Sequence, residues 1–316
     1  MRIICIAYLF FCSAFYVHAQ HQFFEFTQYK MGTEFKIKAY AEDTVKLKAT
    51  VTLAWQRIDE INHIFSDYIH DSELAIIQMH RDNFIQMSDE FYSVLMTSLQ
   101  YCRYSRGFFD ISVGALSRLW RRSIKMSDFP TDRKIKEALQ HVGYKKIVIQ
   151  NKKINIPVGM SLDFGAIAKG YAVDEAFRVL NNHGFAMALI DGGGDLYAGD
   201  VPNGKTGWEV SFSRKIGNEW KDSIMELKNC GIATSGDKYK FITDPDGDRY
   251  AHIINPITGY GIKGPLLTTV IAPNATHADA LATTLSILSG KKIARFLRRW
   301  SRGFHIEQQQ VIYWKY

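Results

Sequence analysis

The sequence predicts an α+β fold with antiparallel or mixed sheets and packed helices. Amphipathic helical segments alternate with short strand-like runs, and several neighbouring strand-like runs are separated by turn residues instead of helices. A parallel sheet needs a long crossover between successive strands, so strands linked by turns favour antiparallel pairing. The chain has no repeat, low-complexity tract or Pro/Ser-rich linker, which favours one continuous domain over residues 20–316.

The individual elements are predicted from the spacing of apolar residues and from turn signals. Apolar side chains recur at three- and four-residue steps between Leu47 and Phe65, which is typical of an amphipathic helix. A second helix is predicted from the N-cap Ser88 to a stop before Gly107. Further helices are predicted at 167–181, 278–288 and, as a basic helix, 291–302. Strands are predicted at 146–149, 186–190, 208–212, 267–272 and 311–314.

The N-terminus has the layout of a secretory signal peptide. Arg2 precedes an apolar run over residues 3–17, and Val17-His18-Ala19 gives a small-x-small cleavage pattern before Gln20. The run is short for a transmembrane helix, although an uncleaved anchor is the alternative. We predict that residues 1–19 are removed and that the protein is exported to the periplasm, with inner-membrane association as a further option.

Charge and cysteine content exclude some classes of partner and site. The net charge of +7 falls to +6 without Arg2, and this mild, dispersed excess favours solubility over nucleic-acid binding. The densest basic patch, 291–302, is interleaved with apolar residues as in a solvated face of a packed helix. After removal of the leader only Cys102 and Cys230 remain, either as a disulfide or as two isolated core cysteines. No zinc site is predicted.

A phosphate-loop pattern occurs in the chain without its structural context. Residues 199–206 fit GxxxxGK[ST] letter for letter. In a P-loop a strand feeds the loop and a helix leaves it, because the helix N-terminus holds the phosphates. Here an alternating, strand-like run starts at Trp208, and Pro202 with Asn203-Gly204 is typical of a hairpin turn. An ATPase or kinase built on this loop is therefore not predicted.

The glycine cluster at 192–194 also follows a strand-like run. It lacks the helix of a dinucleotide-binding fingerprint, because residues 195–198 are typical of extended chain. On pattern alone the cluster is either a place of close backbone approach to a ligand or a crowded turn.

A polar loop leads into a predicted helix within residues 161–174. The opening turns of this helix carry Gly165, Lys169 and Gly170. Free N–H groups at a helix start with a nearby lysine suit a phosphate or pyrophosphate. Many helices begin this way, so on this segment alone Lys169 is equally a surface lysine.

Other segments carry residues that could bind a metal ion or an anion, or act as a base. Asp279 and Thr283 are four apart on a predicted helix and project from one face, as an all-oxygen pair that suits Mg²⁺ rather than zinc. On this segment alone a dipole-stabilised aspartate above a core threonine is the stronger interpretation. His252 lies in an apolar strand-like run, where a lone histidine is more often structural than catalytic. Thr234-Ser235-Gly236 either lines an anion site or makes a turn.

Taken together, the order of these segments and the residues in them resemble those of the ApbE family, the FAD:protein FMN transferases. The resemblance is collinear and spans essentially the whole mature chain; each segment is unspecific, whereas the set is highly specific. Its segments are Met31-Gly32-Thr33, Phe65-Ser66-Asp67-Tyr68 with Ser72-Glu73-Leu74, residues 107–114, residues 163–174, the glycine cluster, Thr234-Ser235-Gly236-Asp237, residues 252–256 with Thr258-Gly259, and residues 279–283.

The resemblance implies roles for individual residues. Contacts to the flavin and adenine sides of FAD are implied for Met31, Tyr68, Phe108, Phe109 and Asp110. Contacts to FAD near the pyrophosphate are implied for Asp163 and Lys169. A magnesium site is implied from the backbone carbonyl of Ala166 with Asp279 and Thr283. His252 matches a position close to the reacting phosphate and is the candidate base, with Ile253 beside it in the cofactor site.

The chain departs from the family pattern at a few positions. Asp195 follows a glycine pair where a longer acidic residue is common, and Asn255 stands where aspartate is common. Phe164-Gly165 is a mild variant. None of these positions is an implied metal ligand, so activity is still expected.

We predict a magnesium-dependent enzyme that transfers the FMN half of FAD to a Thr or Ser hydroxyl of an exported or membrane flavoprotein and releases AMP. Cleavage of a pyrophosphate needs charge neutralisation and positioning, and a hydroxyl nucleophile is helped by a base such as histidine. An FAD pyrophosphatase that uses water at the same site is the first alternative. A non-enzymatic flavin-binding protein is the second, against which Asp279, Thr283 and His252 argue, since binding alone needs no metal or base.

Overall fold

The computed structural model describes residues 21–216, 219–236, 240–264, 267–288, 304–308 and 311–315, with side chains except at 214–220 and beyond 288. The predicted signal peptide, the predicted basic helix and Asp237 lie outside these residues. Within the described ranges, no helix combines the length and the apolar character that crossing a membrane requires.

Sixteen strands and seven helices are described. The strands are β1 Gln22–Lys30, β2 Thr33–Ala41, β3 Ile85–Gln86, β4 Val148–Gln150, β5 Lys153–Asn155, β6 Ala188–Asp191, β7 Asp195–Ala198, β8 Trp208–Ile216, β9 Glu219–Leu227, β10 Cys230–Gly236, β11 Phe241–Thr243, β12 Arg249–Ile254, β13 Gly261–Lys263, β14 Leu267–Ala272, β15 Phe304–Gln308 and β16 Val311–Lys315. The helices are α1 Thr44–Phe65, α2 Glu73–Met79, α3 Asp89–Tyr104, α4 Gly114–Met126, α5 Asp132–Leu139, α6 Ala168–Asn182 and α7 Ala275–Ile287.

The helices begin where polar side chains cap their first turns. Asp43, Ser72, Ser88, Thr131 and Asn274 each accept a hydrogen bond from a backbone N–H three residues later. The helix predicted from Ser88 is confirmed, and those predicted at 167–181 and 278–288 differ from α6 and α7 by at most three residues at either end.

The α+β prediction is confirmed. The main sheet has the order β1-β2-β6-β7-β10-β14-β15-β16, and the remaining described strands form three small sheets, β11-β12-β13, β3-β5-β4 and β8-β9. Every pairing between these strands is antiparallel. The predicted strand at 146–149 begins later, at Val148, because Tyr144–Lys146 forms a 3₁₀ turn.

The main sheet is covered on both faces around β6 and β10. Ala188 and Ile190 of β6 belong to the large core beneath the helices, whereas Leu189 belongs to a second core with Trp208 and Val210 of β8. Side chains alternate between the two faces of a strand, so both sets are buried only if each face is covered. Burial on both faces explains why residues 186–190 are continuously apolar.

The P-loop interpretation was correctly rejected, but the predicted hairpin at the same place is wrong. Strand β8, not a helix, follows Thr206, and a turn is present, with Lys205 N donating to Pro202 O at 3.1 Å. The flanking strands do not pair with each other. Strand β7 has both edges occupied by β6 and β10, so β8 pairs with β9 instead.

The two cysteines are free thiols. Cys102 is buried in the large core and Cys230 packs at the second core beneath β8. Burial raises the pKa of both thiols, so both are inert cysteines rather than a disulfide.

Helices α6 and α7 approach each other unusually closely at Gly170. A Cβ on Gly170 would lie 2.3 Å from the carbonyl oxygen of Ala275 and 2.9 Å from the Cβ of Asp279. The carboxylate of Asp174, one turn further along α6, accepts hydrogen bonds at 2.8 Å from the backbone N–H groups of Ala275 and Thr276. The start of α7 is therefore fixed against α6 by backbone contacts.

The Gly170→Ala substitution should destabilise the protein by about 1–3 kcal/mol, even though alanine favours helix formation, because the added methyl group forces the helices apart. Urea denaturation followed by circular dichroism measures the change.

Asn181→Ala, at the exposed end of the same helix, is the control and should change the unfolding free energy by less than about 0.5 kcal/mol. Equal stabilities for the two variants would show that α6 and α7 are not in close contact.

Candidate functional site

A cavity of about 750 Å³ opens where the main sheet, α6, α7 and the β11-β12-β13 sheet meet. This volume is within the range typical of sites for small molecules and cofactors. The predicted site residues that line it are Met31, Phe108, Phe109, Asp110, Asp163, Ala166, Lys169, His252, Ile253, Asp279 and Thr283. The fold thus gathers positions that are up to 252 residues apart in sequence.

Met31 lies in the two-residue turn between β1 and β2. Lys30 pairs with Thr33, and Met31 and Gly32 have φ values of 48° and 78°, as a type I′ hairpin turn requires. Asn, Asp or Gly normally takes the first of these positions, because a longer side chain is strained at positive φ. Strained residues cluster at ligand sites, and Met31 is held with its side chain against the cavity.

The glycine cluster forms the β6–β7 turn on the cavity wall. Gly193 and Gly194 have φ values of 76° and 103°, and the Asp191 carboxylate accepts hydrogen bonds from both of their N–H groups. A Cβ at Gly193 would lie 2.2 Å from Oγ1 of Thr33. The cluster is therefore a crowded turn, and it also borders the cavity.

Lys169 joins two buried carboxylates on the floor of the cavity. Its ammonium group forms an ion pair with Asp195 and lies 4.0 Å from Oδ2 of Asp279. Burial raises the pKa of Asp279, while the Lys169 charge and a backbone N–H lower it. Lys169 is therefore not the surface lysine of the alternative interpretation; it partly compensates a concentration of negative charge.

Three residues that can offer oxygen donors to a divalent cation, Ala166, Asp279 and Thr283, line the cavity. Gly170 lies in the first turn of α6, where backbone N–H groups have no acceptor within the helix. Gly170 N donates to Oδ2 of Asp279 at 3.1 Å, and Ala166, which precedes the helix, lines the same cavity. Thr283 lies one turn beyond Asp279, and its hydroxyl is 3.2 Å from the Ser235 hydroxyl.

This donor set fits Mg²⁺ and does not fit zinc. Among the residues that the structure describes, no group of three His, Cys, Asp or Glu side chains is placed to hold a metal. One carboxylate, one hydroxyl and one carbonyl are hard oxygen donors, and Mg²⁺ commonly completes its coordination with water and substrate phosphates. The magnesium role of Ala166, Asp279 and Thr283 remains a prediction, consistent with this chemistry.

His252 lies in β12 and also lines the cavity. Its backbone N–H and its Nδ1 both approach the carbonyl oxygen of Lys240, at 3.1 and 3.2 Å. A carbonyl only accepts hydrogen bonds, so the contact assigns the proton of the neutral ring to Nδ1 and the basic lone pair to Nε2. The side chain is exposed within the cavity, unlike those of its neighbours Ala251 and Ile253. The structure therefore presents a histidine with a defined basic nitrogen.

Asp110 braces the loop that carries the two phenylalanines. Its Oδ1 accepts hydrogen bonds from the Ser112 N–H and hydroxyl at 2.8 and 2.6 Å, and its Oδ2 accepts one from Tyr144 N at 3.0 Å. Burial raises the pKa of this carboxyl, and the donated hydrogen bonds oppose that change. Phe109 is buried in the core and Phe108 is half-buried beside the cavity. In this arrangement Asp110 supports the loop with both oxygens.

Tyr68 does not line the cavity as described. It is 78% exposed, its hydroxyl accepts a hydrogen bond from Arg121 at 2.8 Å, and the guanidinium group lies 4.8 Å from its ring centroid. Arg121 also pairs with Asp67, and Asp163 lies close enough to affect the pKa of Arg121. Tyr68 is thus an exposed aromatic surface connected to the cavity through Asp163, and its flavin contact remains a prediction.

Sequence reasoning missed other residues of the cavity wall. Residues 210–213 of β8 and Lys240 contribute to the lining. Tyr101, which is buried, hydrogen-bonds His277 in the first turn of α7 beneath Asp279. None of these belongs to a local pattern of spacing, because they are brought together only by the sheet order.

Comparisons with known proteins agree on one family. The profile of the ApbE family matches residues 31–306. The FAD:protein FMN transferase of Haemophilus influenzae is 30% identical over 282 residues, covering 83% of this chain and 80% of that protein. The one from Treponema pallidum is 28% identical over 290 residues, covering 85% and 80%.

Solved structures show the same architecture. The crystal structure of the ApbE protein from Thermotoga maritima superposes with a TM-score of 0.81 at 27% identity, over 92% of this chain and 96% of that one. The apo form of the flavinyl transferase ApbE from Pseudomonas stutzeri gives a TM-score of 0.78 at 25% identity, over 92% and 96%.

The Asp110→Asn substitution should lower the unfolding free energy by about 1–3 kcal/mol, because the new amide NH₂ must face a backbone N–H donor at Ser112 or Tyr144. Urea denaturation measures the loss.

Asp128→Asn is the matched control, since Asp128 is exposed and its side chain makes no hydrogen bond within the described residues. If both variants were as stable as the wild type, the Asp110 carboxylate would not be bracing its loop.

Proposed function

Because the chain belongs to the ApbE family, we propose that it is an FAD:protein FMN transferase that acts at the cavity between α6, α7 and β12. Its substrate is FAD, and its second substrate is a protein that becomes a flavoprotein. We further propose that the acceptor group is a Thr or Ser hydroxyl, that AMP is the second product and that the reaction depends on Mg²⁺.

One observation carries the metal-dependent part of the proposal. Asp279 is buried, accepts a hydrogen bond from Gly170 N, and lines the cavity together with Thr283 and Ala166. A protein that only bound flavin would have no need to keep a buried carboxylate in this environment, because burial disfavours its charge. Bound Mg²⁺ would neutralise phosphate charge and polarise the phosphorus that is attacked.

The residues of this chain then have separate tasks. Asp279, Thr283 and the Ala166 carbonyl hold the cation, and Lys169 adds positive charge near the diphosphate. His252 Nε2 accepts the proton of the acceptor hydroxyl as its oxygen forms a bond to the FMN phosphorus. The bond from that phosphorus to the bridging oxygen breaks, and AMP leaves with the bridging oxygen and its electron pair. The products are a phosphoester-linked FMN-protein, AMP and the proton on His252.

The location of the reaction follows from the N-terminus. Residues 1–19 have the pattern of a cleaved signal peptide. We propose that the enzyme works in the periplasm on exported flavoproteins or on exposed domains of membrane flavoproteins.

The proposal is tested by incubating the protein with FAD, Mg²⁺ and candidate exported flavoprotein domains. Transfer gives an acceptor that is fluorescent in a denaturing gel, together with one AMP per labelled chain. AMP and FMN without labelled protein would identify an FAD pyrophosphatase instead. Neither product would identify a flavin-binding protein, and failure to bind FAD at all would remove the basis of the proposal.

The Asp279→Asn variant should lose roughly 10²–10³-fold in kcat, because the amide keeps an acceptor for Gly170 N but removes the charge that holds the cation. The rate of FMN transfer with saturating Mg²⁺ measures this. Full activity of the variant in the presence of EDTA would contradict the metal assignment.

Two neighbouring threonines on α7 give a matched comparison. Thr283→Val should raise the Mg²⁺ concentration needed for half-maximal activity. Thr284→Val should not, because Thr284 is buried away from the cavity and donates only to the Ala280 carbonyl of its own helix. Equal effects of the two substitutions would assign Thr283 a packing role.

The His252→Gln variant should reduce kcat by roughly 10²–10⁴-fold and leave the KM for FAD nearly unchanged, because the base acts in the chemical step. His183→Gln is the control, since His183 is also exposed and its Nδ1 also contacts a carbonyl, that of Val179, but it lies outside the cavity lining. A His252 variant with normal kcat would exclude this histidine as the base.

A further inference from the structure

The cavity is bordered by one edge of a β-strand. Val210, Ser211, Phe212 and Ser213 are consecutive in β8, and all four line the cavity. Side chains alternate between the two faces of a strand, so a cavity against one face would touch every second residue. Lining by four consecutive residues means that the cavity lies along the strand's edge.

The pairing of β9 with β8 identifies the edge of β8 that faces the cavity. It pairs with β8 along the whole hairpin, from Trp208 with Leu227 to Ile216 with Glu219, and no residue of β9 lines the cavity. The edge of β8 that faces the cavity is therefore the one opposite β9. Within the described part of the chain, no strand pairs with that edge, and no backbone group of residues 210–213 forms a hydrogen bond outside the hairpin.

A Ser or Thr acceptor must bring its main chain close to the reacting phosphorus. The hydroxyl oxygen of these side chains lies only about 2.4 Å from its Cα, as the covalent geometry dictates. The main chain of the acceptor must therefore enter the cavity mouth with its hydroxyl. Its own N–H and C=O groups lose water there and need hydrogen-bond partners.

We propose that the acceptor polypeptide binds as an added strand along the cavity-facing edge of β8, residues 210–213, and so delivers its hydroxyl to the site. This inference rests on the proposed function. Addition of a strand to an exposed sheet edge is a common mode of peptide recognition, because main-chain hydrogen bonds then hold the peptide. Along an antiparallel strand every second residue directs both its N–H and its C=O to the same edge.

The length of this edge of β8 favours binding of a polypeptide over binding of a small ligand. Val210 is 6% exposed and packs in the core with Trp208 and Leu227, whereas Ser211 is exposed and Phe212 and Ser213 are half-buried. The four residues span about 10 Å of edge. The repeated N–H and C=O groups along this length match those of an extended polypeptide chain.

Hydrogen exchange at single-amide resolution tests the inference directly. The His252→Gln enzyme, loaded with FAD and Mg²⁺, is compared with and without the acceptor domain that the wild-type enzyme labels. We expect exchange to slow at least about tenfold at two alternate amides among residues 210–213 and to stay unchanged at the two already bonded to β9. The outer edge of β9 is the internal control. Protection elsewhere on the enzyme with no change at 210–213 would overturn the inference.

A second measurement uses the acceptor itself. Peptides of about nine residues, centred on the labelled hydroxyl residue, carry a single N-methyl group at successive backbone amides. Removal of a buried main-chain donor should slow FMN transfer about tenfold at every second position and less than twofold between them. A loss without this period of two, or no loss at any position, would contradict strand addition.

The two proposals fail in different ways. If no acceptor is ever labelled, the transferase proposal falls, and strand addition falls with it. If labelling proceeds at a normal rate while both backbone experiments show no alternation, the transferase proposal stands and the acceptor binds in another manner.

Discussion

The hydrogen bond from the Gly170 backbone to Asp279 is the contact on which the site depends. It exists because glycine lets α6 and α7 come within backbone distance, and because Asp174 and the Asn274 cap fix the first turn of α7. It holds the Asp279 carboxylate at the wall of the cavity. Any side chain at position 170 would push these groups apart, although it would leave the groups themselves unchanged.

The charges around this contact are balanced only in part. Asp195 and Asp279 are both nearly inaccessible to solvent, and Lys169 serves both. One ammonium group between two buried carboxylates leaves a net negative environment, which favours binding of a cation. The same environment would repel the diphosphate of a dinucleotide unless a cation were bound between them. Binding of the proposed Mg²⁺ and binding of FAD would therefore be coupled by electrostatics in this cavity.

The local elements could be predicted from the sequence because their signals are local. The cap at Ser88, the apolar spacing of α1 and the β-branched run at residues 268–271 of β14 are each signals that span only a short stretch of sequence. The eight-stranded order was not predictable, because it depends on which strands pair at long range. The same limit applied to the hairpin predicted at residues 202–204, whose turn is real but whose flanking strands pair with other partners.

The site residues, too, could be predicted only where the sequence carried a signal for them. Lys169 and Asp279 carry no local signal that separates a ligand from a surface or capping residue, and only the collinear set of segments pointed to them. Tyr68 fits that set by sequence but stacks with Arg121 outside the cavity lining, because its position is determined by the α1–α2 loop and not by the sheet. Lys240 and β8 had no motif at all. Their contribution comes from the sheet edges that converge on the cavity.

The difference between a transferase and a hydrolase at this site is a matter of competition with water. Water has access to an open cavity and can react without the ordering of a protein chain. An acceptor hydroxyl therefore reacts faster than water only if binding has already fixed the hydroxyl near the phosphorus. Well-oriented groups reach effective molarities of roughly 10⁵–10⁸ M, far above the concentration of bulk water, but only when their position is tightly held. A short Ser or Thr side chain is held only as well as its backbone. The proposed binding of the acceptor along the sheet edge would therefore do more than hold it, since it would determine which nucleophile the site uses.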